Sequence, residues 1–169
     1  MRLMIPALIL CSTAAHADVT VAFVEGAPKD RFVIENAGQC ATAPSIFEID
    51  LTASTAGLIF DTTEAGAGVE VFQPVEVVAG ADMVIDLAQP GDGDQTLSVS
   101  LKSLPPGGEI IITLDLDDMI ASGTSRPTMV TGSEIKGIAV RLTQQTDATA
   151  MANFTDSVQV SIPVAGCMS

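Results

Sequence analysis

Apolar and polar residues alternate along most of this chain, and a period of two commits it to strands rather than helices. The longest stripe is Ile110, Ile112, Leu114 and Leu116. Val19, Val21 and Phe23 form another, as do Phe47, Ile49 and Leu51, and Leu97, Val99 and Leu101. Ile138, Val140 and Leu142 make a fifth, and Val158, Val160, Ile162 and Val164 a last one. Shorter strands are expected over 31–35, 58–60, 69–78 and 83–87. No segment keeps a 3.6-residue period over three turns; one brief helical turn is expected over 117–121. β-Branched residues are abundant in these runs, as half-buried pleated surfaces prefer.

Turn chemistry separates the stripes. Pro90-Gly91-Asp92-Gly93-Asp94 reads as a hairpin connection, and Pro105-Pro106-Gly107-Gly108 as a second break. Strand-like runs recur about every ten residues, the spacing of a sandwich. The expected fold is all-β: an immunoglobulin-like antiparallel β-sandwich of about 8–10 strands. Pro74 cannot donate to a ladder, so its strand belongs at an edge. Ile110-Ile111-Ile112 is apolar on both faces and is expected to lie centrally, covered on both sides.

Residues 1–17 read as a signal peptide, with Arg2 ahead of a short apolar run and a small-residue cleavage site at Ala15-His16-Ala17. The run is too short to span a bilayer, which takes about 20 apolar residues. Cys11 leaves open a lipoprotein reading, although Leu10 is bulky for that site. Residues 18–169 are then expected to form one domain, secreted or periplasmic, with no membrane insertion. In that oxidising setting Cys40 and Cys167 invite one disulfide. The chain-entropy model assigns a loop of about 100 residues close to 5 kcal/mol.

The chain carries 21 Asp and Glu against 7 Lys and Arg, a formal charge of −14. That field repels phosphates, so nucleic acid is not an expected partner; cations and protein or cell-surface partners are. The only histidine, His16, leaves with the signal, and there is no Trp or Tyr. Histidine-based triads and zinc sites are thereby excluded from the mature chain. A carboxylate pair acting on glycosides remains the least favoured alternative, since no aromatic ring is present to stack on a sugar except Phe.

Asp115-Leu116-Asp117-Asp118 is the densest acidic cluster. On a strand, Asp115 and Asp117 share a face about 7 Å apart. With Asp92 and Asp94 from the glycine-rich turn, these five carboxylates are the candidate ligands for calcium, a hard ion taking six to eight oxygens. The alternative is a solvated face of a very acidic protein, and for the turn itself simple turn chemistry.

Longer phrases carry a resemblance. Phe23-Val-Glu-Gly-Ala-Pro-Lys-Asp-Arg-Phe-Val-Ile-Glu-Asn36 resembles the opening of small exported bacterial proteins labelled aggregation factor core. Ala56-Gly-Leu-Ile-Phe-Asp-Thr-Thr62 and Gly66-Ala-Gly-Val-Glu-Val-Phe-Gln-Pro74 resemble the middle of that group. Ile112-Thr-Leu-Asp-Leu-Asp-Asp118, Gly132-Ser-Glu-Ile135 and a cysteine near the C-terminus resemble its later part. The label implies calcium-assisted cell adhesion. The resulting expectation is an exported, non-enzymatic binding or adhesion module. Its alternative is a structural subunit without a small ligand that pairs through a sheet edge.

Overall fold

A computed structural model describes residues 17–63, 73–118 and 130–164. Twelve strands run through them in chain order: β1 (Ala17–Val24), β2 (Asp30–Asn36), β3 (Ser45–Asp50), β4 (Leu58–Phe60), β5 (Glu76–Ala79), β6 (Val84–Ala88), β7 (Thr96–Leu101), β8 (Glu109–Leu114), β9 (Leu116–Asp118), β10 (Ala139–Gln144), β11 (Thr149–Asn153) and β12 (Gln159–Val164). Two five-stranded antiparallel sheets pack as a sandwich, in the orders β12-β1-β2-β8-β5 and β11-β10-β3-β7-β6. A third, two-stranded sheet pairs β4 with β9.

The alternation explains which face each strand buries. Val21, Ile34 and Ile110 lie in register across the first sheet, and Leu142, Phe47 and Val99 across the second. All six are at most 2% exposed, and they belong to one continuous core. Phe32 links the two layers, its ring 5.4 Å from Phe23 on β1 and 6.1 Å from Phe154, just after β11. Aromatic pairs in such tilted arrangements add about 0.5–1.5 kcal/mol beyond the area they bury. Gly137 allows the chain to enter β10 closely: its φ is +98°, and a Cβ there would sit 1.9 Å from the Ala53 carbonyl oxygen.

Two strands exceed the sequence expectation. The long 110–116 stripe breaks at Asp115 into β8 and β9, because β9 leaves the first sheet to pair with β4. β11 has no legible stripe, because it turns only Ala150 and Ala152 toward the core, while Met151 points outward. The Pro90–Asp94 segment does connect two adjacent antiparallel strands, β6 and β7. β5 is an edge strand, with the exposed Pro74 just ahead of it. Ile110 and Ile112 are buried, but Ile111 is only half-buried, so β8 is not covered on both sides as expected. Asp117 lies in a strand rather than in the expected helical turn.

Residues 1–16, the body of the expected signal, lie outside the described residues, and Ala17 begins β1 opposite Val164. No helix among the described residues is long and apolar enough to cross a membrane.

Candidate functional site

The acidic residues meet at one end of the sandwich, where β4, the β6–β7 turn and the β8–β9 break converge. Backbone hydrogen bonds fix that junction. Phe60 N donates to the Asp94 carbonyl and Gly93 N to the Phe60 carbonyl, both at 2.9 Å. Asp61 N donates to the Asp115 carbonyl at 3.1 Å. The Asp92 carboxylate closes the frame: its Oδ1 accepts the amides of Thr62 at 2.8 Å and Thr63 at 3.1 Å.

Asp61 sits inside this frame. It is 1% exposed, and neither of its carboxylate oxygens has a hydrogen-bond donor. A buried carboxylate without donors is costly in its ionised form. Burial accordingly pushes the Asp61 carboxyl up to about 6, helped by the adjacent Asp92 side chain, within hydrogen-bonding reach, and by the charge of Asp117. Burial also pushes Asp115 up to about 7, reinforced by the charges of Asp61, Asp30 and Asp117. Lys29 pulls the other way on Asp115, but its ammonium is engaged by Glu76. Asp30 completes the region from the start of β2. It is buried, accepts the Gly26 amide at 3.0 Å, and is raised to about 6 chiefly by burial.

The five carboxylates singled out in the sequence fare differently. Asp92, Asp115 and Asp117 come to the same junction, coupled through Asp61. Asp117 is 9% exposed, so it does not belong to a solvated outer face. Asp94 closes its own turn instead, its Oδ2 accepting the Gly91 amide at 2.7 Å. The Asp118 side chain lies outside the described residues. Among the described residues, no three Asp, Glu, His or Cys side chains stand close enough to hold a metal ion together. Asp61 and Asp30 carry no local signal in the sequence, because each is a single acid beside an apolar run. Cys40 is partly buried against the core, four residues past Asn36, whereas Cys167 lies outside the described residues.

A second feature lies on the outer face of the β11-β10-β3-β7-β6 sheet. Ile46 and Ile85 are 48% and 62% exposed where that face should be polar. They border a groove of about 360 Å³ whose other side includes Thr143, Gln145 and Asp147. Elsewhere this face is mixed: Arg141 bridges Glu48 at 2.6 Å and Asp50 at 3.0 Å, while Met151, opposite Arg141 on β11, is 50% exposed. No known family model matches the chain, and neither curated proteins nor solved structures give a significant match.

Proposed function

We propose that this chain is an exported, non-enzymatic binding or adhesion module that engages a protein or cell-surface partner through the outer face of its β3-bearing sheet. The carrying observation is the exposed Ile46 and Ile85 beside a groove of about 360 Å³. Apolar surface gathered around a concavity is characteristic of contact sites. The resemblance to aggregation factor core proteins favours the same class and adds calcium assistance, for which the acidic end is the natural seat. The sandwich is of the immunoglobulin-like kind in this reading, and Cys40–Cys167 staples it. Support for the staple comes from topology. β12 ends at Val164 opposite Ala17, and Ala37 N bonds the Asp18 carbonyl, so Cys167 and Cys40 follow strands that end on the same side.

The test uses beads coated with the protein and mixed with cells or with each other. Beads carrying the wild type cluster, and Ile46→Asp with Ile85→Asp abolishes clustering while the melting midpoint stays within a degree or two. Equal clustering by the double variant refutes the proposed face.

One observation favours a second reading. Ile85 lies on β6, an edge strand, and a second copy adding a strand there would bury it. That reading, a structural subunit paired through a sheet edge, requires a concentration-dependent dimer in light scattering that Ile85→Asp dissolves.

A further inference from the structure

We infer that β11 is a self-pairing edge: a second copy of this chain adds its own β11, antiparallel, about a two-fold axis at Met151. This goes beyond the binding face proposed above, does not depend on it, and uses a different edge from β6.

An open sheet edge is a template for another strand unless something blunts it. Among the described residues the two large sheets end in β12, β5, β6 and β11. The first three carry a block. β12 contains Pro163, which has no N–H to offer. β5 bulges between Val77 and Ala79. β6 bulges between Val84 and Asp86 and bears the Asp86 charge. β11, Thr149-Ala-Met-Ala-Asn153, has no proline and no charged residue, and its register against β10 runs unbroken from end to end.

The ladder identifies the free groups. Gln144 N donates to the Ala148 carbonyl and Phe154 N to the Ile138 carbonyl, both at 2.9 Å. Bonded pairs alternate along an antiparallel ladder, so Ala150 and Ala152 turn their N–H and C=O toward β10. Those of Thr149, Met151 and Asn153 point away from it, and all three residues are exposed.

The occupant follows from sequence and charge. β11 is nearly symmetric about Met151: Ala150 mirrors Ala152, and the small polar Thr149 mirrors Asn153. In antiparallel pairing Met151 exchanges N–H···O bonds with its own copy, and Thr149 with Asn153 of the second copy. Two chains of formal charge −14 repel one another, so they meet best where the contact holds no carboxylate. Thr149–Asn153 is such a place. Across the sheet from Met151 the row continues with Arg141 and then Glu48, bridged at 2.6 Å, so the charges nearest the seam are already matched. Asp156, beyond the end of the strand, is bridged to Lys136. The seam joins two five-stranded sheets into one, with the two Met151 side chains meeting on the outer face and both Ile46–Ile85 grooves facing the same side. A contact this short makes the dimer a reversible one.

The test is sedimentation velocity of the full chain across the micromolar range, where the wild type shows a monomer–dimer equilibrium. Met151→Glu places its carboxylate opposite Arg141 in its own chain and opposite its twin across the axis. It weakens dimerisation at least tenfold and leaves the melting midpoint within a degree or two. Ile85→Asp leaves the dimer unchanged. Should Met151→Glu fold poorly, Met151→Cys reads the same contact. The bonded pair across the axis sets its Cα atoms about 5.5 Å apart, so mild oxidation gives a disulfide-linked dimer, which Ile85→Cys does not form. A wild type that stays monomeric throughout overturns the inference. So does a dimer that Met151→Glu leaves intact, or one that Ile85→Asp dissolves, which would return the contact to β6. Dimers without bead clustering sink the binding face alone; clustering by a strictly monomeric chain sinks the pairing alone.

Discussion

Two buried polar side chains, Asn36 and Asp61, close opposite ends of the sandwich in opposite ways. Asn36 is fully buried and fully satisfied. Its Nδ2 donates to the Cys40 and Leu104 carbonyls, each at 2.8 Å, and its Oδ1 accepts the Gly38 amide at 3.0 Å. One side chain thereby ties the loop after β2 to the loop before β8. Asp61 is equally hidden but meets no donor, and its closest polar company is other carboxylates. Burial alone therefore does not tell these two side chains apart. Satisfaction does, because an interior polar group that stabilises a fold is one whose hydrogen bonds are made.

The largest effect is expected at the satisfied end. Asn36→Ala removes three hydrogen bonds at a buried position, leaving the Leu104 carbonyl only its bond from the Thr42 amide, and opens a small void, so it lowers stability by about 3–4 kcal/mol. Urea unfolding monitored by far-ultraviolet dichroism measures this directly. A loss under about 1 kcal/mol would mean that the two loops do not need their clamp, and the contrast with Asp61 would collapse.

A somewhat smaller effect belongs to the acidic end and appears as a pH dependence. Asp30 is raised from 3.8 to about 6 in the folded chain, mainly by burial. Below pH 4 the group is protonated in both the folded and unfolded states. Between pH 4 and about 6 the folded chain holds the proton that the unfolded chain has lost, so stability falls as pH rises across that window. The loss approaches about 2 to 3 kcal/mol for a shift of this size. Asp61 and Asp115, raised by the same kind of burial, slope in the same direction. Asp50 has the opposite sign. The Thr52 hydroxyl chiefly, with help from Arg141, holds it below its ordinary value, so its contribution fades only at pH below that window. In chelator, unfolding between pH 4.5 and 7.5 should therefore show declining stability, and Asp30→Asn should flatten part of the decline while keeping an acceptor for Gly26. A wild type that gains stability over this range would show that the acidic end is already compensated.

The two ends also differ in how readily the sequence discloses them. Stripes such as Leu97, Val99 and Leu101 are legible because a pleated strand repeats every two residues, and all three are buried as the alternation requires. β11 is not legible, since Ala150 and Ala152 fill its inward positions with too little side chain to mark a face. Density along the chain marks Asp115, Asp117 and Asp118, and Asp92 with Asp94. The decisive Asp61 stands alone after the buried Leu58-Ile59-Phe60 run, and only the packing of β4 against the β6–β7 turn brings it to Asp92. Local patterning specifies strands. The meeting of distant turns is a tertiary event with no short-range signature.

The smallest expected effect tests whether the acidic end is more than pooled negative charge. Asp94 lies two residues from Asp92 in the same turn, yet its Oδ2 is committed to the Gly91 amide, while the Asp94 amide bonds the Gly91 carbonyl at 3.0 Å. Its side chain serves the turn and not the junction. Asp94→Ala removes one exposed hydrogen bond and should cost about 0.5–1 kcal/mol. Asp61→Asn, measured in chelator at pH 7.5, should shift the melting midpoint the other way, upward, because it removes a buried charge that no donor satisfies. If mutual repulsion were the only force at this end, deleting either charge would relieve it and both midpoints would rise. Opposite signs from two aspartates joined by the same turn are what the geometry demands, and matching signs would dissolve the distinction between Asp61 and its neighbours.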